Sequence, residues 1–334
     1  MTAIQAQAPG KVFLTGEYAV LVGAPALVAA VDRHARVRVE IGAGGGPLRV
    51  HSLAESEHQT ITDVDAGEIP EGDVGCVVAA LRAARANQDA LGVAADVVVD
   101  TRPFLDGPRK LGLGRSAATL AAAVAAFFAA AGDTDRERVL AAAVSANVLF
   151  QEGWGSGGDV AASVHGGVVE VSRRAGDLHA TRRELPPGLH LVVGWTRESA
   201  STVPLLRRFA SAQELCPGGP AALSDLCRVA AEAANAVANG DAASLTDAVD
   251  RSADLLQRLG SEVGIPIVTP ALARLVRAAR GVGAAAKPSG AGGGDCGIAL
   301  ARSPAQVAAV EAAWQAEGIT PLALALARDG VTVG

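Results

Sequence analysis

Aromatic side chains are scarce in this chain, at 3% of 334 residues, so its interiors must be built from Ala, Val and Leu. Half of the residues are hydrophobic, which suffices for packed cores even so. An excess of positive charge is also missing. The formal charge is −6, and without a basic stripe or an aromatic platform nothing calls for nucleic acid or an anionic membrane as partner. An anionic ligand would have to be met by local donors. Cysteines are few and far apart (Cys76, Cys216, Cys227, Cys296), which excludes a disulfide-dense framework and cysteine metal spacing. They read as reduced thiols in a cytoplasmic protein. The start, Met1-Thr2-Ala3-Ile4-Gln5, lacks the basic region and apolar core of a signal peptide. The most apolar run, residues 117–131, falls short of the roughly 20 residues that span a bilayer. It stops at Gly132-Asp133 and reads as a buried helix rather than a membrane anchor.

Glycine, by contrast, is plentiful: 39 residues, many gathered in a few short stretches, the mark of shaped loops rather than disorder. The length predicts two domains, 1–180 and 181–334, changing over near 172–188. Period-two and short apolar runs predict strands at 12–14, 37–41, 96–100, 167–171, 190–194, 282–287, 296–301 and 321–327, with a turn over 42–47. Helices are predicted over 75–91, 116–131, 135–150, 203–213, 220–238, 242–259, 270–280 and 304–317. Strands interleaved with helices give an α+β (two-layer α/β) fold. No short-period repeat is present.

Three segments carry candidate chemistry. Lys110-Leu111-Gly112-Leu113-Gly114-Arg115-Ser116-Ala117-Ala118 places glycines before a helix, whose N-terminal N–H groups suit a phosphate. Ser116 would add a hydroxyl for a phosphate or a magnesium ion, or would simply cap the helix. The segment is neither a Walker A loop nor a dinucleotide fingerprint. Lys287-Pro288-Ser289-Gly290-Ala291-Gly292-Gly293-Gly294-Asp295-Cys296 lies between two apolar strands, where a backbone nest over phosphates fits better than a loose linker. Gly155-Ser156-Gly157-Gly158-Asp159 offers Asp159 either as a helix cap or as a carboxylate beside a reacting phosphoryl group. The local pattern does not choose. Upstream, Pro9-Gly10-Lys11 begins a strand with a lysine, ordinarily solvated unless a polyphosphate lies opposite.

Taken in order, these segments resemble the GHMP kinases from Ala8 to about residue 301. Within that family they are most similar to the phosphomevalonate kinases, through Ala8-Pro9-Gly10-Lys11, Gly16-Glu17-Tyr18-Ala19-Val20, Gly155 to Ala162, Gly194-Trp195-Thr196 with Ser199-Ala200-Ser201-Thr202, and Ser289 to Cys296. The resemblance implies an N-terminal domain like domain 2 of ribosomal protein S5, a ferredoxin-like C-terminal domain and an active site in the cleft between them. It implies ATP and Mg2+ as cofactors and a small-molecule acceptor, 5-phosphomevalonate, with mevalonate or another hydroxyl acceptor as the alternative. A monomer or homodimer is expected. Lys11 and Asp159 fall on catalytic positions. Gly112, Leu113, Gly114, Arg115, Ser116, Ala117 and Ala118 fall on the ATP phosphate loop, with Ser116 on the magnesium position. Gly16, Glu17, Tyr18, Ser156, Gly157, Ser289, Gly290, Ala291, Gly292 and Gly293 fall on acceptor-site positions. Two positions depart from the family. Arg115 stands where the first serine of Gly-Leu-Gly-Ser-Ser is usual, and either grips a phosphate or points outward. Asn147 replaces a frequent His. Glu152 is a nearby carboxylate for magnesium. Lys110, Arg197, Arg207 and Arg208 are candidate cations for an acceptor's own phosphate.

Overall fold

The computed structural model describes residues 3–42, 46–88, 91–92, 94–174, 176–200, 202–214 and 219–334. Ser201, Cys216 and residues 43–45 of the predicted 42–47 turn lie outside them. In chain order the strands are β1 (Ala3–Thr15), β2 (Ala26–Ile41), β3 (Leu48–Ser52), β4 (Glu57–Ile61), β5 (Ala95–Asp100), the short hairpin β6 (Leu105–Asp106) and β7 (Arg109–Lys110), β8 (Val168–Arg174), β9 (Asp177–Arg183), β10 (His190–Trp195), β11 (Ala285–Pro288), β12 (Cys296–Ala301), β13 (Thr320–Leu322) and β14 (Thr332–Val333). The helices are α1 (Gly72–Arg85), α2 (Arg115–Ala130), α3 (Arg136–Phe150), α4 (Gly158–His165), α5 (Thr202–Glu214), α6 (Ala221–Ala238), α7 (Ala242–Val263), α8 (Pro270–Gly281) and α9 (Pro304–Ala316).

Two sheets organise the molecule. The first runs β14-β1-β2-β5-β3-β4, with β8 and then β9 added alongside β2; its pairs are antiparallel except β3 with β5. The second runs β11-β12-β10-β13, all antiparallel. Helices α1 to α4 cover one face of the first sheet. α2 is apolar on every side, and each residue from Ala117 to Phe128 is buried, as a helix sandwiched between other helices and a sheet must be. Alanine dominates it, so neighbours approach closely and the shortage of aromatics is made good by tight packing.

α6 and α7 fill the space between the sheets. One core joins Val12, Leu14, Leu27 and Val31 of the first sheet to Val193, Trp195, Ile298 and Leu300 of the second through Val229, Ala233, Leu245 and Val249. α8 and α9 close the far face of the second sheet around Trp314, whose indole N–H donates to the Leu275 carbonyl (2.9 Å). The end of the chain returns to the first sheet: Ala6 pairs with Val333, and Val31 bridges Leu326. No described helix is long and apolar enough to cross a membrane.

One irregularity positions the site. Between Pro9 and Gly10 the β1–β2 register shifts, so that Pro9 faces His34 and Gly10 faces Val31. Beyond the shift the Lys11 N–H donates to the Leu113 carbonyl (2.8 Å), which fastens β1 to the loop before α2.

Candidate active site

A cleft of about 1050 Å3 opens where the three glycine-rich segments meet the end of β1. Lys11, Gly112–Ala117, Ser156, Asp159 and Ser289–Gly292 line it, as do Glu17 and Tyr18. Four residues expected at the site from sequence stand behind its surface. Ala118 is buried in the core between the two sheets, and Gly16, Gly157 and Gly293 shape the turns that carry their neighbours.

Two helices begin at this wall. The N-cap of α2 is Gly114, in a left-handed conformation (φ 78°), which puts Ser116 inside the first turn instead of at the cap. Ala118 is the first residue whose N–H bonds back into the helix, to the Gly114 carbonyl (3.1 Å), so the N–H groups before it are available to a ligand. The N-cap of α4 is Gly157, and Asp159 sits in the first turn, where its carboxylate accepts from the Val160 N–H (3.0 Å). Capping therefore accounts for neither Ser116 nor Asp159.

Lys11 and Phe13 share a face of β1, and the ammonium stands 5.2 Å from the Phe13 ring centroid. Its stem lies across Gly114: a Cβ there would come within 2.7 Å of Lys11 Cε. Glycine at this position thus serves both the turn and the lysine.

The opposite rim is the 289–295 segment. The Ser289 hydroxyl accepts the Phe13 N–H (2.8 Å), and the Tyr18 hydroxyl donates to the Ala291 carbonyl (2.6 Å). Beneath them Lys287, 0% exposed, is ion-paired with Glu17, 4% exposed. Burial lowers the Lys287 pKa from its usual value, and the Glu17 charge opposes that shift. Glu17 and Tyr18 thus tie the end of β1 to this rim. Gly292 adopts φ +78°, and a Cβ on it would sit 2.1 Å from the Ile267 carbonyl oxygen. Gly292→Ala is accordingly expected to lower stability by about 1–3 kcal/mol, visible as a reduced melting temperature. An unchanged melting temperature would show that this turn is free to shift.

Asp295 completes the rim. Burial pushes its carboxyl up from the ordinary carboxylate range, and Lys110, 3.5 Å away, holds it down. Of the four candidate cations, Lys110 and Arg207 line the cleft, Arg207 pairing with Glu152 across it. Arg197 is engaged elsewhere, donating to the Thr320 hydroxyl (2.8 Å) above the Trp195 ring, and Arg208 donates to the Gly264 carbonyl (3.3 Å). Asn147 is buried below Gly155, its carbonyl oxygen without a hydrogen-bond partner among the described residues. Arg115 lines the cleft, and its guanidinium turns to Glu55 and Asp73. Those two carboxylates and the 68–72 wall of the cleft carry no local motif, and sequence reasoning did not find them. Burial pushes the thiols of Cys76, Cys227 and Cys296 up, which makes them poor nucleophiles.

Comparison with known proteins bears directly on this cleft. The model of the GHMP kinases N terminal domain matches residues 76–167, and that of the GHMP kinases C terminal matches residues 230–320. A phosphomevalonate kinase of Streptomyces sp. (strain CL190) is 37% identical, covering 97% of this chain and 97% of its own. The chain belongs to the GHMP kinase family. It has the GHMP kinase fold and is an ATP-dependent phosphotransferase. A mevalonate kinase of Pyrococcus furiosus is 29% identical across 98% of this chain and 97% of its own. The structure of Streptococcus pneumoniae phosphomevalonate kinase in complex with phosphomevalonate and AMPPNP superposes with a TM-score of 0.81 at 21% identity, covering 98% of this chain and 100% of that one.

Proposed function

We propose that this GHMP kinase transfers the γ-phosphoryl group of ATP to 5-phosphomevalonate, giving 5-diphosphomevalonate. The observation that carries the reading is a single cleft lined by Lys11, Ser116, Asp159 and Ser289–Gly292 together. The choice of acceptor is supported by the end-to-end similarity to the Streptomyces enzyme. Mevalonate remains the second reading, supported by the full-length similarity to mevalonate kinases.

On this reading the triphosphate lies at the start of α2, where unbonded N–H groups and the helix dipole meet its charge. The described residues contain no cluster of three or more His, Cys, Asp or Glu able to cage a metal. A magnesium ion arriving with the nucleotide needs few protein oxygens, since it keeps waters and takes phosphate ligands. The Ser116 hydroxyl and the Asp159 carboxylate fit that share, and the bound ion would neutralise phosphate oxygens. Lys11 would meet the equatorial oxygens of the group in transit. A phosphomonoester has a second pKa of about 6 and is mostly dianionic at pH 7, so the acceptor needs no general base. Asp159 would then orient Lys11 and the metal. The acceptor's own phosphate would be held by Lys110 or Arg207.

Incubating the purified protein with ATP, magnesium and either acceptor, and following ADP release, tests the choice. Phosphomevalonate is expected to be favoured in kcat/KM by about 10²-fold or more, because a site built for a charged group is left unpaired by an acceptor lacking it. A preference for mevalonate would reverse the assignment.

A further inference from the structure

Arg115 is where the chain departs from the Gly-Leu-Gly-Ser-Ser pattern, and its guanidinium has partners beyond the reach of a serine. A cation in the first turn of a helix faces the positive end of the helix dipole and is unfavourable there unless carboxylates compensate. Arg115 Nη2 lies 2.8 Å from Glu55 Oε1, and Nε lies 3.8 Å from Asp73 Oδ1. Both carboxylates are built in. Glu55 Oε2 accepts the Asp73 N–H (3.0 Å) at the start of α1, supplying from outside a cap that Glu71 does not provide. Asp73, 1% exposed, accepts the hydroxyls of Ser52 (2.8 Å) and Thr101 (2.7 Å). The cleft wall 68–72 runs straight into this cluster, and Arg115 lines the same cleft.

Two carboxylates and one guanidinium therefore stand beside the helix end proposed for the triphosphate. Without the guanidinium, both negative charges would face the polyphosphate uncompensated. We infer that Arg115 is a positioning residue for the nucleotide: it neutralises Glu55 and Asp73 beside the phosphate loop and holds the 68–72 wall against α2, and it does not itself grip a phosphate. The inference rests on the placement of ATP at α2 proposed above.

The experiment is calorimetric titration of the whole protein with a non-hydrolysable ATP analogue and magnesium, beside steady-state kinetics. Arg115→Ala is expected to weaken analogue binding about tenfold or more, raising KM for ATP by the same factor. KM for the acceptor should move by less than about threefold. Adding Glu55→Gln removes a stranded charge while its amide oxygen can still accept the Asp73 N–H. Asp73 then stays without its cation but keeps the two hydroxyl donors, so the double variant is expected to recover most, not all, of the lost binding. Arg115→Lys keeps the charge without the planar fork, should fall between, and provides the comparison if Arg115→Ala folds poorly. Failure of Glu55→Gln to restore binding overturns the inference and favours a direct phosphate grip. Ser116→Ala separates the two layers of the argument. If it weakens binding while the Arg115 variants do not, the role of Arg115 alone is wrong. If neither weakens binding, the placement of the nucleotide fails as well.

Discussion

Lys287→Met is expected to cost the fold about 3–5 kcal/mol, because it strands the Glu17 carboxylate in the interior. Both partners are almost wholly excluded from water, so the attraction is not screened as it is in a surface pair. The ammonium also donates to the Pro288 carbonyl (2.6 Å), and Glu17 Oε1 accepts the Gly290 N–H (3.3 Å). Removing the lysine therefore loosens both ends of the 287–290 turn. Glu17→Gln on top of Lys287→Met is expected to recover more than half of the loss. It takes away the uncompensated charge, yet glutamine can still accept the Gly290 N–H. Urea unfolding of the two variants measures both quantities. A single-variant loss below about 1 kcal/mol, or a double variant no more stable than the single, would mean that the pair does not hold the rim in place. The kinetic companion is a higher KM for the acceptor with little change in nucleotide affinity, since the contacts of Ser289 and Ala291 depend on this turn.

The clasp also shows what a sequence can and cannot disclose. Its partners lie 270 positions apart, and neither Gly16-Glu17-Tyr18 nor Lys287-Pro288-Ser289 contains any sign of the other. Glu55 and Arg115, 60 positions apart, are the same case. The elements read correctly are those whose signal is local. The apolar run ending at Gly132-Asp133 became α2, and the apolar stretches bounded by glycine became β10 and β12. The glycine loops were legible because each abuts a helix or strand whose start dictates the turn. The α+β architecture followed from these elements, and the kinase family and the ATP dependence from the resemblance that the loops carry together. The first strand was read only over residues 12–14, although β1 begins at Ala3, because Gln5 and Gln7 look like loop residues until the pairing with β2 and β14 is known. β4, with its sequence Glu-His-Gln-Thr-Ile, is a polar edge strand held by β3, and no apolar period marks it. α1 ends at Arg85, short of the predicted residue 91, where the Asn87 side chain takes the Ala83 carbonyl (2.8 Å) that a further turn would need.

The largest catalytic loss is expected at Lys11, and its comparison with Asp159 tests the proposed division of labour. Lys11→Met keeps most of the stem that packs over Gly114 and removes only the charge, so the loop before α2 should keep its shape. If the ammonium meets charge on the transferring phosphoryl group, kcat should fall about 10²–10³-fold while analogue affinity changes by only a few-fold. Asp159 has a different task under the same proposal. With an acceptor that is already dianionic at pH 7, Asp159→Asn removes an orienting charge but no proton acceptor, and the loss in kcat should stay below about 10²-fold. With a hydroxyl acceptor the same variant would lose a general base and fall by about 10²–10⁴-fold. Measuring both variants with both acceptors thus distinguishes the roles within one protein. A collapse of Asp159→Asn with phosphomevalonate as deep as that of Lys11→Met would mean that the carboxylate moves a proton after all, and the acceptor would have to be reconsidered with it.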